Sequence, residues 1–527
     1  MVRKSEKELQ SALDRLIEAG LLFRQGVSPH ASYLFKHALV QEAAYSTLLR
    51  EPRRALHARI AEILESRFPD IADSQPELLA RHCTEAGLIE QAAAFWGKAG
   101  QRSLTRSALV EATEQLKRAL AQIASLPATP ALRRKELELQ VALITPLIHV
   151  KGYAAPETRA ATERAHLLLQ EAKALGEAPD DPLLLFAVLY GFWVANYVQF
   201  NGQMMRELAA QFLALAEKHE AVVPIMIGHR ILAVSLLMTG DIAEARAHTD
   251  RGFGLYAPAK HRVLAAHFGG HDPGVAFLLY RSFALWLLGY PDAALRESQE
   301  ALRAARDFGQ AATLMYALCH AAIPTILCGD LTAAARQTQE LLALADEKSA
   351  PHWKAQGTMT QGWLDALTET TSSAPSLISA GIAAYRSAGS THWLPLRFTY
   401  LAAAHSESGH FDDASRSIAE AIMLVEKTNE RWCEAEVHRI AGEIALNAQE
   451  PETSKAQAYF ERALTVARAQ QAKSWELRAA MSMACLWRDQ GKPQQARELL
   501  APVYGWFTEG FDTRDLKEAK ALLDTVS

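Results

Sequence analysis

Cysteine is scarce: the 527 residues hold five, an odd number, at Cys83, Cys319, Cys328, Cys433 and Cys485, never spaced as CxxC. This excludes a disulfide framework and the usual spacing of a structural zinc, and it makes a reducing compartment, the cytoplasm, the expected location. Excess charge is also small. The net charge is −5 with no basic stripe, so nucleic acid is not an expected partner; the run Arg50, Arg53, Arg54, His57 and Arg59 reads as a solvated helix start. One stretch calls for comparison with the ~20 residues of a membrane span. The uncharged stretch from Pro182 to Met205 has its strongly apolar part in residues 183–198, only 16 long, and reads as a buried helix. The start, MVRKSEKELQ, carries acids and lacks the apolar core of a signal peptide.

Catalytic signatures are missing as well. A P-loop needs GxxxxGK(S/T), whose amides cradle phosphate, but Gly97-Lys98 is followed by alanine and Gly491-Lys492 by proline. No serine stands in GxSxG, and Cys319 beside His320 makes no dyad by adjacency. The carboxylates Glu434 and Glu436, and Asp515 with Glu518, fall on polar helix faces and are expected to be solvated. With 49% apolar and 22% charged residues, the composition is that of a folded chain rather than a disordered one.

What is present is a repeat. Gly289 with Ala294, Gly329 with Ala334, Gly409 with Ala414 and Gly491 with Ala496 share one spacing, and the anchors lie 40, 80 and 82 residues apart. Glu369 with Ala374, and Pro451 with Ala456, fill the doubled gaps. Twelve and thirteen residues after the anchors come pairs such as Ala301-Leu302, Ala421-Ile422 and Ala463-Leu464, and seven before stand Ser282, Ala322, Gly362, Ala402 and Ala484. Small side chains at these offsets let two helices approach across a tight turn. Each unit therefore reads as helix, glycine turn, helix, and a fixed period signals an array whose units bury their faces on one another. Gly240 with Ala245 starts a further unit, with an insertion before Gly289.

The small residue, glycine and alanines at these offsets resemble the tetratricopeptide repeat, most closely in the unit containing Trp96, Gly100, Ser107, Ala112, Ala119 and Leu120. The period of about 40 exceeds the usual ~34, which implies longer helices or loops. Near the start, a helix through Leu9, Leu13, Leu16 and Ile17 ends at Gly20, and the runs 21–24 and 33–35 flank the turn residues QGVSPHAS. This predicts a β-hairpin, and helix, hairpin, helix suggests the end of a winged-helix domain.

A wider resemblance rests on YLFKHALVQEAAYSTLL, RRALHARIAEILESRFP, QPELLARHCTEAG, GHDPGVA, ALWLLGYPDAAL and the closing AKSWELRAAMSMACLWRDQGKPQQARELLAPVYGWFTEGFDTRDLKEAKALL. These are similar to the region following the nucleotide-binding domain in large bacterial signal-transduction ATPases, many of which carry class III adenylate/guanylate cyclase domains. The resemblance implies a carboxy-terminal sensor half, encoded separately or truncated, whose ATPase and cyclase chemistry belongs to modules absent from these residues. The expected fold class is all-α: a tetratricopeptide-like α-α superhelical solenoid with a small N-terminal winged-helix remnant. Its expected parts are the remnant with its hairpin (1–52), a helical connector and first repeat (53–125), the solenoid (126–505) and a capping helix (506–527), before which stand Trp506, Phe507 and Phe511.

The expected function is non-catalytic recognition of a protein or peptide in the concave groove, with an ATPase or cyclase module as a further partner in cis or trans, and no cofactor. Six and ten residues before the turn anchors stand Phe283 and Leu279, Ile323 and Cys319, Trp363 and Met359, and Cys485 and Met481. Facing the groove, they would make it apolar; packing between helices is the alternative. Trp193, Asn196 and Tyr197 pose the same choice, and a buried Asn196 requires a hydrogen-bond partner. Two other functions remain open: a DNA-binding regulator acting through the winged helix, and a metal-dependent enzyme using His261, His267, His271 and Asp272. Against the metal, Gly269-Gly270 breaks the helix that would align His267 with His271, and HFGGHDPG reads as a turn capped by Asp272.

Overall fold

The computed structural model describes residues 5–26, 31–152, 155–175, 182–266, 268–368 and 373–526. Among them are 27 α-helices and a single two-stranded sheet. The chain divides into two compact units, residues 1–101 with 114–129, and residues 102–113 with 130–527.

The first unit opens with α1 (Glu6–Glu18), started by a capping box in which Ser5 and Glu8 satisfy each other's backbone N–H groups. The strands β1 (Leu22–Gln25) and β2 (Ser32–Phe35) pair antiparallel, with Leu22 opposite Phe35; residues 27–30, within the expected turn, lie outside the described residues. Then follow α2 (Ala38–Ser46), α3 (Arg50–Arg67), α4 (Pro69–Ser74), α5 (Pro76–Ala86), α6 (Ile89–Thr105) and α7 (Leu109–Ile123), the last two crossing the unit boundary. The hairpin and α2 are thinly covered: Phe23, Leu34, Phe35, Leu39 and Leu49 are exposed.

The second unit is a tetratricopeptide-like α-α superhelical solenoid. Its helices come in antiparallel pairs: α8 (Pro130–Lys151) with α9 (Pro156–Ala174), α10 (Pro182–Val198) with α11 (Gly202–Lys218), and α12 (Val222–Thr239) with α13 (Ile242–Gly254). After an insertion holding α14 (Pro258–His261) and a 3₁₀ turn come α15 (Pro273–Leu287) with α16 (Pro291–Phe308), α17 (Ala311–Leu327) with α18 (Leu331–Glu347), and α19 (Pro351–Leu367) with α20 (Ala374–Ser387). The array ends with α21 (Leu394–Glu407) and α22 (Phe411–Thr428), α23 (Glu434–Asn447) and α24 (Thr453–Ala469), α25 (Lys473–Asp489) and α26 (Pro493–Tyr504), then α27 (Arg514–Thr525). First helices pack on the first helices of neighbouring pairs, which places them inside the curve. On α27, Leu516, Ala519 and Leu522 are buried against α25 and α26.

The repeated residues explain the pairing. Gly289 occupies the left-handed region at φ +90° between α15 and α16, a conformation that glycine adopts without penalty. Ala294, five residues on, is fully buried, and its carbonyl accepts a hydrogen bond from the Ser282 hydroxyl at 2.7 Å. At Gly362 a Cβ would stand 2.8 Å from Ile378 and 3.0 Å from the Ala374 carbonyl, so α19 and α20 approach only because that position lacks a side chain. Glu369 lies outside the described residues.

The superhelix closes on itself. The Val198 carbonyl at the end of α10 accepts the Thr391 N–H at 2.8 Å, and the Met238 carbonyl of α12 accepts the Arg431 N–H at 2.9 Å, links that each span 193 residues (391 − 198 and 431 − 238). Further along, Ser474 donates to the Trp286 carbonyl and Arg478 to that of Leu327. The inside of one turn is thereby filled by the next: Trp475 packs edge-on against Trp286 with centroids 4.6 Å apart, and Phe283 meets Trp393 and Trp432. Burying such an indole stabilises by roughly 3 kcal/mol or more. One helix among the described residues, α12, is long and apolar enough to cross a membrane, but 78% of it is buried within the protein.

Candidate functional site

Closure decides the fate of the expected groove residues. Leu279, Phe283, Cys319, Ile323, Met359 and Trp363 are all buried, while Met481 and Cys485 are half-buried. Three of the eight, Trp363, Met481 and Cys485, share the wall of one open cavity of about 430 Å³ at the carboxy-terminal end of the concave face. Leu279 and Phe283 instead belong to the packed interior. Asn196 donates to the Phe192 carbonyl of its own helix at 2.9 Å, while Trp193 and Tyr197 stack at 5.2 Å in the lumen.

The groove is built by successive first helices. Its floor is an aromatic stack, Trp363 of α19 on Tyr400 of α21, with centroids 3.9 Å apart and an interplanar angle of 14°. Neither the Trp363 Nε1 nor the Tyr400 hydroxyl has a hydrogen-bond partner within the protein, and a buried polar group left so is costly. One wall is ionic. Glu436 of α23 receives two hydrogen bonds from Arg439, at 2.6 and 2.9 Å, and one from Arg478 at 3.3 Å. Arg478 also reaches Asp515 of α27 at 2.7 Å and lies over the rings of Trp286 and Trp475. Arg439 continues to Glu443, which accepts from the Ser482 hydroxyl at 2.8 Å.

These contacts correct the sequence reading of the acids. Glu434 and Glu436, expected to be solvated, are 5% and 1% exposed, and the Asp515 side chain is 15% exposed, because the helix faces that carry them turn inward onto arginines. Burial works to raise the Glu436 pKa, but Arg439 and Arg478 hold it below the ordinary carboxylate value. Burial opposes the charge of Arg439 and Arg478 likewise, and the surrounding carboxylates raise both pKa values. The Tyr400 phenol is raised by burial first and by Glu436 second. Five carboxylates (Glu407, Glu436, Glu443, Asp515, Glu518) stand against three guanidinium groups (Arg439, Arg478, Arg514) around the cavity, so its field is acidic.

Higher in the lumen, a small cavity of about 30 Å³, room for a water or two, is lined by rings including Tyr190, Trp193, Tyr280, Tyr316, His320 and His392. Burial depresses His320 to about 4 and holds His392 well below the ordinary imidazole value, so these imidazoles are neutral at pH 7. His271 stacks on Tyr316 at 3.8 Å, its Nδ1 2.9 Å from the Gly269 carbonyl, whereas His261 accepts from the Ala257 N–H. Asp272 caps α15 through the Gly274 and Val275 N–H groups and accepts from Tyr256. His267 lies outside the described residues. Among the described residues no three His, Cys, Asp or Glu side chains gather as a metal site.

A signal for the closed lumen went unread in the sequence. His352-Trp353, His392-Trp393, Arg431-Trp432 and Ser474-Trp475 recur at intervals of 40, 39 and 43 at the starts of first helices. Each of these tryptophans is buried.

No protein-family model matches the chain. A curated relative, an uncharacterized protein of Rhizobium meliloti (strain 1021), is 25% identical over 476 residues, which cover 90% of this chain and 45% of the relative; the chain thus spans less than half of that protein's length. Among solved structures, a Rap protein complexed with Competence and Sporulation Factor is 11% identical, with a TM-score of 0.49, covering 72% of this chain and 99% of that one. The APC/C hetero-tetramer Cut9-Hcn1 is 12% identical, with a TM-score of 0.49, covering 91% and 85%.

Proposed function

We propose that this chain is a recognition module without chemistry of its own, whose carboxy-terminal groove receives a segment of another protein. The observation that carries this reading is the open cavity of about 430 Å³ whose floor is the stack of Trp363 on Tyr400, beneath a predominantly acidic wall. A segment presenting an apolar or aromatic side chain to the floor and basic side chains to the wall complements it. The five cysteines, all unpaired, support a cytoplasmic setting.

The finer reading places the module in a bacterial signalling ATPase or nucleotide-cyclase system, with residues 1–52 as a winged-helix remnant. Its support is the exposed apolar set Phe23, Leu34, Phe35, Leu39 and Leu49 on the hairpin and after it, a face suited to cover by a neighbouring module, and a relative more than twice as long as the matched region.

Selection of random peptides on the full chain supplies a probe, and calorimetric titration of the selected peptide tests the site. Ser482→Arg, which fills the groove, is expected to weaken binding at least tenfold, while Ala458→Arg, exposed on α24, leaves it unchanged. Equal loss in two variants of unchanged circular dichroism would sink the assignment.

A further inference from the structure

Arg397 of α21 is 1% exposed, and none of its three guanidinium nitrogens has a hydrogen-bond partner. The fold treats its other inner arginines differently: Arg439 and Arg478 are held by Glu436, Glu443 and Asp515, and Arg230 donates to the Phe268 carbonyl. Among the described residues, the groups that interact electrostatically with Arg397 are Cys319 and His320 of α17, Tyr385 of α20 and Tyr400 of α21. Cys319 is a buried thiol, pushed up to about 12 by desolvation although Arg397 pulls it down, so it carries no charge at pH 7. The Tyr385 hydroxyl is already engaged by His392 at 2.9 Å. Tyr400, one turn after Arg397 on the same helix, has an unpartnered hydroxyl. Among the described residues no carboxylate balances the cation, and a buried charge in that state is strongly disfavoured.

We propose that Arg397 and the Tyr400 hydroxyl hold a small monovalent anion, a halide or a carboxylate no larger than formate or acetate, where α17, α20 and α21 meet. The planar fork of a guanidinium matches two carboxylate oxygens or a single halide, and near-complete burial limits the occupant to a few atoms. The anion is a structural ligand: it binds the folded chain and raises its stability by mass action. The site shares Tyr400 with the groove floor, but its test needs no peptide, so its failure and that of the groove reading are distinguishable.

The test is thermal unfolding of the full chain in potassium gluconate, chloride and formate at one ionic strength and pH 7. Chloride or formate is expected to raise the midpoint saturably above gluconate, by roughly 2 °C or more. Arg397→Met is expected to show no such rise and to unfold in gluconate at or above the wild-type temperature, since an apolar side chain of similar length removes an unbalanced charge. Tyr400→Phe is expected to keep the fold and to need several-fold more anion for the same rise. An undiminished rise in Arg397→Met, or unfolding of that variant far below wild type in gluconate, would overturn the site; the latter would mean that the guanidinium is already paired by the protein.

Discussion

Glu430, in the loop between α22 and α23, is fully buried at the seam where the superhelix closes. Its two carboxylate oxygens lie 3.0 and 3.1 Å from the Trp393 backbone nitrogen, and one accepts from Trp432 Nε1 at 3.1 Å. Burial raises its pKa from 4.5 to about 8, against the lowering effect of the Trp432 and Trp393 donors. Between those two values the folded chain keeps a proton that the unfolded chain has released, so this group's contribution is complete below pH 4.5 and is lost as pH rises toward 8. At about 1.4 kcal/mol per pKa unit, the ceiling is roughly 5 kcal/mol, and relaxation and water entry reduce it to about 2–3 kcal/mol. Buried imidazoles act with the opposite sign. His229, His320 and His438 are depressed to about 4, so their contribution is present above pH 6.5 and is lost as pH falls. Subtraction separates the two effects. Glu430→Gln keeps an acceptor for both donors and does not titrate, and the wild-type stability relative to this variant should fall by about 2–3 kcal/mol from pH 5 to pH 8. Urea unfolding followed by tryptophan fluorescence at half-unit pH steps reads this difference; a difference independent of pH would refute the reasoning.

Other substitutions probe the turns and the ionic wall. At Gly289, φ +90°, a Cβ would stand 2.4 Å from Trp506 and 2.9 Å from Lys473. Gly289→Ala should therefore cost clearly more than the about 1–2 kcal/mol of a left-handed alanine. Gly309→Ala, at φ +71° with nothing within 4 Å, should cost only that backbone term, and urea midpoints compare the two. Arg478→Met leaves Asp515 and one side of Glu436 without their cation and should destabilise by roughly 3 kcal/mol or more. Adding Asp515→Leu should recover part of that loss, and a double-mutant cycle showing no coupling would contradict the pairing.

The repeat was legible because turns and close helix contacts impose residue types. Gly289, Gly329, Gly409 and Gly491 all have positive φ, and Ala294, Ala334, Ala414, Ala456 and Ala496 are fully buried. Closure of the superhelix was not legible in the same way. Contacts between residues 193 apart leave no local period, and the pattern that reports them, a tryptophan at the start of successive first helices, is spread from residue 353 to residue 475. For that reason Phe283 and Leu279, on α15, are buried against other parts of the chain. The same long-range packing hides Glu436: an acid on an otherwise polar face reads as solvated until Arg478, 42 residues on, is brought against it. Of the residues picked by helical spacing, Trp363 on α19 and Met481 with Cys485 on α25 line the cavity. Tyr400, Arg439 and Asp515, which complete the cavity, lie off that spacing.

Photo-crosslinking tests most directly whether the carboxy-terminal groove is the surface that meets a partner. With benzoylphenylalanine at Met481 on the groove wall, or at Ala458 on the exposed side of α24, irradiation with the selected peptide should yield an adduct from position 481 and none from position 458. Adducts from both positions, or from 458 alone, would contradict the account.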